Sequence, residues 1–390
     1  MEQRPAVFIH IVTWNSEESI EACITRAINQ EGFVLGESLF IRITDNASTD
    51  GTVSIVEQQL RSGVTLVRNT SNLGFSAAHN QGVEEFLRRG CAALLVLNPD
   101  VGLETTCVQL MFEAFERGPR VGLVTPKLLR ALPSLEPIHP HVLDAAGMIL
   151  TKACRHFDRG AGQWDRGEFD SAERVFGATG ACVLLSRECV SDLCIPKSIS
   201  DDEVHRIYPQ LKAGWRERAQ LFDEAFFAYR EDADLSWRAK RRGWECWYEP
   251  AAIGNHVRVV TPERRRKLPA ELNWYSVSNR FLLQLNNTSW RDGIVFLLWG
   301  VVVRNLIVLA GVVCSERECP KCKAQMRIIA FIQDEHSIKD IMKSQGIADF
   351  RAPPPVPKFI DTTEALNELP SYDSFEPPVV SNVEPAPDDF

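Results

Sequence analysis

The 390-residue chain is predicted to fold as an α/β protein around a mostly parallel central sheet. Two observations predict this. Residues 1–125 repeat a strand–helix rhythm, which implies right-handed crossovers between parallel strands. Within that rhythm, Leu94-Leu95-Val96-Leu97 is apolar without alternation, the pattern of a strand buried on both faces. Pro99 cannot donate to a sheet ladder, so this strand must stop at Asn98-Pro99-Asp100. An amide and a carboxylate then stand where open α/β sheets bind ligands, at the carboxyl ends of their strands.

The elements follow in order. Residues 6–14 form a first strand and 17–30 a helix. Residues 39–44 form a second strand that ends in Asp45-Asn46-Ala47-Ser48-Thr49-Asp50-Gly51, and Ser48 or Thr49 is expected to cap the next helix. A third strand at 64–68 leads through Asn72-Leu73-Gly74-Phe75 into a helix ending near Arg89. Residues 92–97 form the fourth strand, and another helix starts near Glu104. No GxGxxG follows the first strand, so the dinucleotide-binding fingerprint is absent. From residue 126 the rhythm loosens. Small residues at Gly177-Ala178-Thr179-Gly180 precede an apolar strand, where a ligand could approach the backbone closely. A helix then begins at Glu231-Asp232-Ala233-Asp234, its first-turn carboxylates matched to the helix dipole. A strand at 245–248 and a helix at 273–285 follow.

Composition bounds the function. The net charge of −9 argues against a general nucleic-acid binder. Residues 351–390 hold eight acidic residues against two basic ones and nine of the 22 prolines, so this tail is expected to be disordered. Eleven cysteines scattered through apolar runs suit reduced thiols in a cytosolic compartment. Cys319-Pro320-Lys321-Cys322 lacks a second pair at zinc-site spacing and is expected to be a local turn. The N-terminus shows no signal-peptide pattern. Residues 293–313 are mostly apolar, but Arg304 near their middle costs at least ~2.5–3.5 kcal/mol on insertion scales. An interfacial or buried helix is expected there rather than a span. Arg264-Arg265-Arg266-Lys267 is either a clamp for diphosphate or anionic headgroups or a solvated run.

The motifs point to one chemistry. Thr13-Trp14-Asn15, Asp45-Asn46-Ala47-Ser48-Thr49-Asp50-Gly51, Asn72-Leu73-Gly74-Phe75 with Asn80, and Leu97-Asn98-Pro99-Asp100 occur in this order. Gly177-Ala178, Phe222-Asp223-Glu224, Phe227 to Leu235, Pro250 and His256 follow. This set, over roughly residues 5–310, resembles the family 2 nucleotide-sugar glycosyltransferases, and within them the rhamnosyltransferase-like subgroup. The resemblance implies a GT-A-type fold. Residues 1–260 would be its catalytic domain, with a nucleotide-sugar half at 1–125 and an acceptor half at 126–260. Residues 261–345 would be a helical, membrane-associated region before the tail at 346–390.

Site residues follow residue by residue. Asp45 could accept from a base N–H or a ribose hydroxyl, and the resemblance implies the former. Thr13 and Asn15 stand beside it, with Asn72, Gly74, Phe75 and Asn80 completing the nucleotide-sugar side. Asp100 stands where the family carries its metal-binding DxD motif, the first acid being Asn98 here. One carboxylate with the donor diphosphate suffices to anchor Mg²⁺ or Mn²⁺, and the resemblance implies that His256 completes the metal shell. Asp232 is the expected general base of an inverting transfer, with Glu231 and Asp234 as alternatives, and Glu231 is also expected to hold the acceptor with Gly177 and Ala178. The implied activity transfers a sugar to a lipid-linked or cell-surface glycan on the cytoplasmic face of a membrane. The donor is dTDP-L-rhamnose or, as the alternative, a UDP-hexose. A non-catalytic glycan-binding protein should lack Asp100 or Asp232, and both are present. A nucleotidyltransferase should open with a Gly-rich basic loop, which Thr13-Trp14-Asn15-Ser16-Glu17-Glu18 does not supply.

Overall fold

The structure, a computed structural model, describes residues 5–151, 155–194, 220–258, 270–288, 317–318 and 325–326. Met1–Ile307 forms one compact unit. In the second unit, Val308–Phe390, the described residues are two short antiparallel strands, Arg317–Glu318 and Gln325–Met326. The 293–313 segment, the basic run at 264–267, the CxxC and the acidic tail lie outside the described residues. Among the described residues, no helix is long and apolar enough to cross a membrane.

The strand–helix rhythm holds. β1 (Val7–Thr13), β2 (Leu39–Asp45), β3 (Val64–Arg68) and β4 (Ala93–Leu97) are parallel, ordered β3-β2-β1-β4. The connecting helices are α1 (Ile20–Ile28), α2 (Thr52–Gln58) and α3 (Gly74–Arg89). Because β2 and β4 lie on opposite sides of β1, the chain reverses direction across the sheet there. Such a switch point opens a cleft at the strands' carboxyl ends. All five residues of β4 are fully buried, as its unbroken apolar run requires.

Beyond β4 the sheet becomes mixed. β5 (Val101–Leu103), α4 (Cys107–Glu113) and β6 (Val121–Arg130) come next, followed by β7 (Leu143–Ala145), β8 (Met148–Leu150), β9 (His156–Asp158) and β10 (Glu173–Val175). β11 (Cys182–Ser186) lies antiparallel between β4 and β6. After α5 (Arg187–Leu193) and α6 (Glu231–Arg241), β12 (Glu245–His256) runs parallel to β6, and α7 (Ala270–Asn287) closes the described unit.

Two expectations change. β12 continues far past residue 248, because a bulge between Glu249 and Ile253 absorbs Pro250. Gly51, not Ser48 or Thr49, precedes α2, and no side chain caps it; Ser48 Oγ instead donates to Asp45.

Two apolar layers sandwich the sheet. On one face, Val7, Ile9 and Ile11 pack with Ile20 and Ile24 of α1, Val56 of α2 and Met111 of α4. On the other, Phe8, Leu94 and Val96 pack with Val83 and Phe86 of α3, Val190 of α5 and Leu235 of α6. The seven cysteines among the described residues are free thiols, mostly buried in these layers.

A buried histidine pair interrupts the second layer. The Nδ1 atoms of His10 and His79 lie 3.0 Å apart, so one ring donates to the other, and His10 Nε2 meets Thr44 Oγ1 at 2.9 Å. Burial lowers the pKa of His79 to about 3 and that of His10 well below its ordinary value, leaving both neutral. The unfolded chain takes up these protons below pH ~6.5, whereas the native state cannot. Each such histidine therefore costs up to about 1.4 kcal/mol of stability per pH unit below that point. His79→Phe should flatten the fall of the thermal midpoint between about pH 6.5 and 5; a slope equal to that of the native protein would contradict this.

Candidate active site

The carboxyl ends of β1 and β2 build one pole of the cleft. Asp45 is nearly inaccessible, and its carboxylate accepts from Thr13 Oγ1 at 3.0 Å, Ser48 N at 3.0 Å and Ser48 Oγ at 2.5 Å. Thr13 thus positions Asp45. Asn15, in the left-handed region at φ 51°, accepts from Thr49 N at 2.8 Å and staples the loop after β1 to the loop after β2. Asn46 donates to Gly74 O and accepts from Asn69, tying this pole to the start of α3.

The residues around α3 take supporting places. Asn72 Oδ1 accepts from Gly74 N at 2.9 Å. Gly74 has φ 80°, and a Cβ there would lie 2.4 Å from Phe227 O, so only glycine fits. Phe75 N donates to Phe227 O at 2.7 Å. Asn80 is fully buried; its Oδ1 accepts from Leu221 N and Phe222 N while its Nδ2 donates to Phe222 O and Glu224. Its amide is spent on bracing residues 221–224 and leaves nothing for a ligand.

The second pole joins β4 to β12. Because β12 pairs antiparallel with β5, with His256 opposite Val101, the imidazole arrives beside Asp100. His256 Nε2 lies 3.5 Å from Asp100 Oδ1, and its Nδ1 lies 2.7 Å from Asp144 Oδ2. Burial opposes a charged ring, but Asp100 and Asp144 outweigh it and raise the pKa of His256 to about 10. Asp144 is buried too; His256 and Arg258 overcome that cost and hold its carboxyl below the usual range. Arg258 bonds Asp144 Oδ1 at 3.0 Å and Asp158 Oδ2 at 2.6 Å. Opposite charges therefore alternate along a chain from Asp100 to Asp158. Among the described residues Asp100 Oδ1 has no hydrogen-bond partner within ordinary bonding distance, His256 Nε2 being its nearest charged neighbour. The Asn98 backbone is fixed by Ala181 O at 2.9 Å.

The third pole is the start of α6. Asp232 Oδ2 accepts from Gly180 N at 2.9 Å and its Oδ1 from Ala233 N at 2.7 Å. Burial outweighs these bonds and the charge of Arg230, and raises the pKa of Asp232. Glu231, buried with Oε2 unpartnered among the described residues, is pushed well above the usual carboxylate range, first by burial and then by the charge of Asp232. Asp234 is fully buried, with one oxygen bonded by Arg238 at 2.7 Å and the other by Asn287 at 2.7 Å, so it holds α6 in place. Gly177 and Ala178 are buried beneath α6: a Cβ on Gly177 would lie 2.3 Å from the Ser236 side chain, and Ala178 N donates to Ser236 Oγ. They support α6 and face no open space.

The site therefore unites Asp45 with Thr13, Asp100 with His256, and Asp232 with Glu231. Asp158 links the last two groups, because the charge of Asp232 helps to raise the Asp158 pKa after burial has done most of it. Gly180 was legible only as one of the small residues at 177–180; Asp144, Asp158 and Arg258 are the members that reading the sequence missed. Only Asp144 carries a signal, as a lone acid within Val142-Leu143-Asp144-Ala145-Ala146. No three His, Cys, Asp or Glu side chains among the described residues form a metal cage.

Residues 8–190 match the family model of Glycosyl transferase family 2. The chain is 25% identical over 242 residues to an N-acetylglucosaminyl-diphospho-decaprenol L-rhamnosyltransferase of Mycobacterium tuberculosis, equally in strains CDC 1551 / Oshkosh and ATCC 25618 / H37Rv. That match covers 57% of this chain and 68% of the relative. Among solved structures it resembles GalNAc-T7 with UDP, GalNAc and Mn²⁺ at TM-score 0.48 and 11% identity, over 66% of this chain and 44% of that one. For S. aureus TarS the TM-score is 0.39 and the identity 13%, over 67% and 38% of the two chains. The chain thus spans less than half the length of these two solved proteins.

Asp144→Asn should remove one of the two carboxylates that charge His256. The His256 titration followed by NMR should then drop by about one to three pH units. An unmoved midpoint would show that Asp144 does not govern this ring.

Proposed function

We propose that the chain is a glycosyltransferase, with a family 2 domain at residues 8–190, that moves L-rhamnose from dTDP-L-rhamnose to a glycan on a polyprenyl diphosphate. Support for the donor and acceptor comes from the L-rhamnosyltransferase relative, whose name specifies a diphospho-decaprenol carrier. The observation that carries the mechanism is the approach of Asp100 and His256 at the cleft between β4 and β12.

In this reading Asp45, held by Thr13, receives the base, and the diphosphate lies toward Asp100. Asp100 and the imidazole of His256 beside it would hold a divalent cation, Mg²⁺ or Mn²⁺, in place of the proton they now face. Such a cation would supply Lewis-acid assistance to the departing nucleoside diphosphate. His256, held charged by Asp100 and Asp144, would have to release its Nε2 proton to ligate the ion, while Asp144 keeps the Nδ1–H in place and fixes the ring. Asn98, which replaces a second acid, adds an amide oxygen without adding negative charge.

Asp232 accepts the proton of the attacking acceptor hydroxyl. Its burial brings its pKa toward the working range of a general base, and Gly180 N–H fixes the direction of its carboxylate. Glu231, whose protonated form burial favours, would face the acceptor as a hydrogen-bond donor. A single base opposite the leaving group gives an inverting transfer. The diphospho-lipid acceptor and the apolar stretch at 293–313 support peripheral action at the cytoplasmic face of a membrane.

Hydrolysis of a panel of nucleotide sugars with Mg²⁺ and with Mn²⁺ tests the donor. The expected result is turnover of dTDP-L-rhamnose above the UDP-hexoses and its loss in EDTA; turnover of a UDP-hexose alone would overturn the donor. Asp232→Asn should lower transfer by about 10²–10⁴-fold while donor affinity is kept. Normal turnover in that variant would remove Asp232 from the role of base.

A further inference from the structure

Two residues just before the catalytic carboxylates are held in a conformation their side chains disfavour. Tyr229 has φ 71° and Arg230 has φ 77°, both left-handed and neither glycine. The Cβ of an L-residue crowds the backbone in this region, so consecutive cases persist only where the surroundings over-determine them. The start of α6 supplies part of that force, since Arg230 O accepts from Asp234 N at 2.9 Å and its guanidinium lies 3.4 Å from His156 Nδ1.

Further restraint comes from α7. Asn279 is buried, and its single Nδ2 donates to Ala228 O and to Tyr229 O, each at 2.9 Å. The same helix stacks Tyr275 on Phe227 with ring centroids 5.0 Å apart, and sends Asn287 to Asp234 at 2.7 Å. On the opposite flank Phe227 O is tied to Phe75 N. The left-handed pair is thus clamped between α3 and α7, and the next two residues are Glu231 and Asp232.

We propose that Asn279 is a positioning residue for glycosyl transfer, the amide that holds the left-handed turn at 228–230 and so aims Asp232. The proposal rests on Asp232 as the base. Without the clamp the turn relaxes toward ordinary backbone, the carboxylate leaves Gly180 N, and the chemical step slows while the nucleotide pole is untouched. Glycine adopts positive φ freely, which gives the proposal its own discriminating variant. If Asn279 works by holding strain, Tyr229→Gly placed on top of Asn279→Ala should restore much of what Asn279→Ala loses. A role confined to general stability would gain nothing from that glycine.

The test compares the native protein, Asn279→Ala and Asn279→Ala/Tyr229→Gly by two readouts. The first is hydrolysis of dTDP-L-rhamnose with Mn²⁺. Asn279→Ala should lower kcat about tenfold or more with the donor KM changed less than about twofold, and the double variant should recover most of the loss. The second is amide hydrogen exchange. Peptides spanning 228–235 should exchange faster in Asn279→Ala and be slowed again by the glycine, while peptides of β4 stay unchanged. Native-like kcat and exchange in Asn279→Ala, or losses that the glycine does not relieve, would overturn the proposal. If the native protein hydrolyses no dTDP-L-rhamnose, the donor assignment fails, and the exchange arm still decides the clamp. If Asn279→Ala does not fold, Asn279→Ser, which keeps one donor on the same helix face, takes its place in both readouts.

Discussion

The geometry of the site depends on one contact, the approach of His256 to Asp100 with Asp144 behind it. Buried charges are costly unless paired, and three charged groups in a row balance only with a further cation, which Arg258 supplies. The backbone makes the contact unavoidable. β4 must end at Pro99, β5 turns aside to pair with the last residues of β12, and that register sets His256 opposite Val101. The parallel part of the sheet and its mixed part are thereby joined at the point where the diphosphate is proposed to lie.

From this junction the rest of the site can be understood as two supports. Toward the base, hydroxyls of Thr13 and Ser48 hold the Asp45 carboxylate in a single orientation. Toward the sugar, Gly180 N–H and the clamped turn before α6 hold Asp232. Each carboxylate is oriented by a neighbour rather than left to rotate, which is what a reaction limited by alignment needs.

Much of the fold was legible because a strand buried on both faces must be apolar throughout, and β4 and the alternation around it carry that pattern. The antiparallel insertion of β11 was not legible, since Cys182 to Ser186 are as apolar as a parallel strand would be. Within the site, end-of-strand acids such as Asp45 and Asp100 announced themselves by standing where apolar runs stop. Asn80, Gly177 and Ala178 were grouped with ligand-binding positions, yet their polar groups or their space are taken by the protein itself. A motif tells which residues recur together, and the same recurrence arises whether a residue touches the ligand or braces one that does. Asp144 and Arg258 act only through partners far away in the chain, and no local pattern encodes that.

Asp100 and His256 are proposed to hold a divalent cation together beside the donor diphosphate. Mn²⁺ binding to the full chain in the presence of dTDP, measured by electron paramagnetic resonance in the native protein and in Asp100→Ala, tests it most directly. The variant should bind the ion at least about tenfold more weakly while dTDP alone binds as before. Equal Mn²⁺ affinity in the two proteins would contradict it.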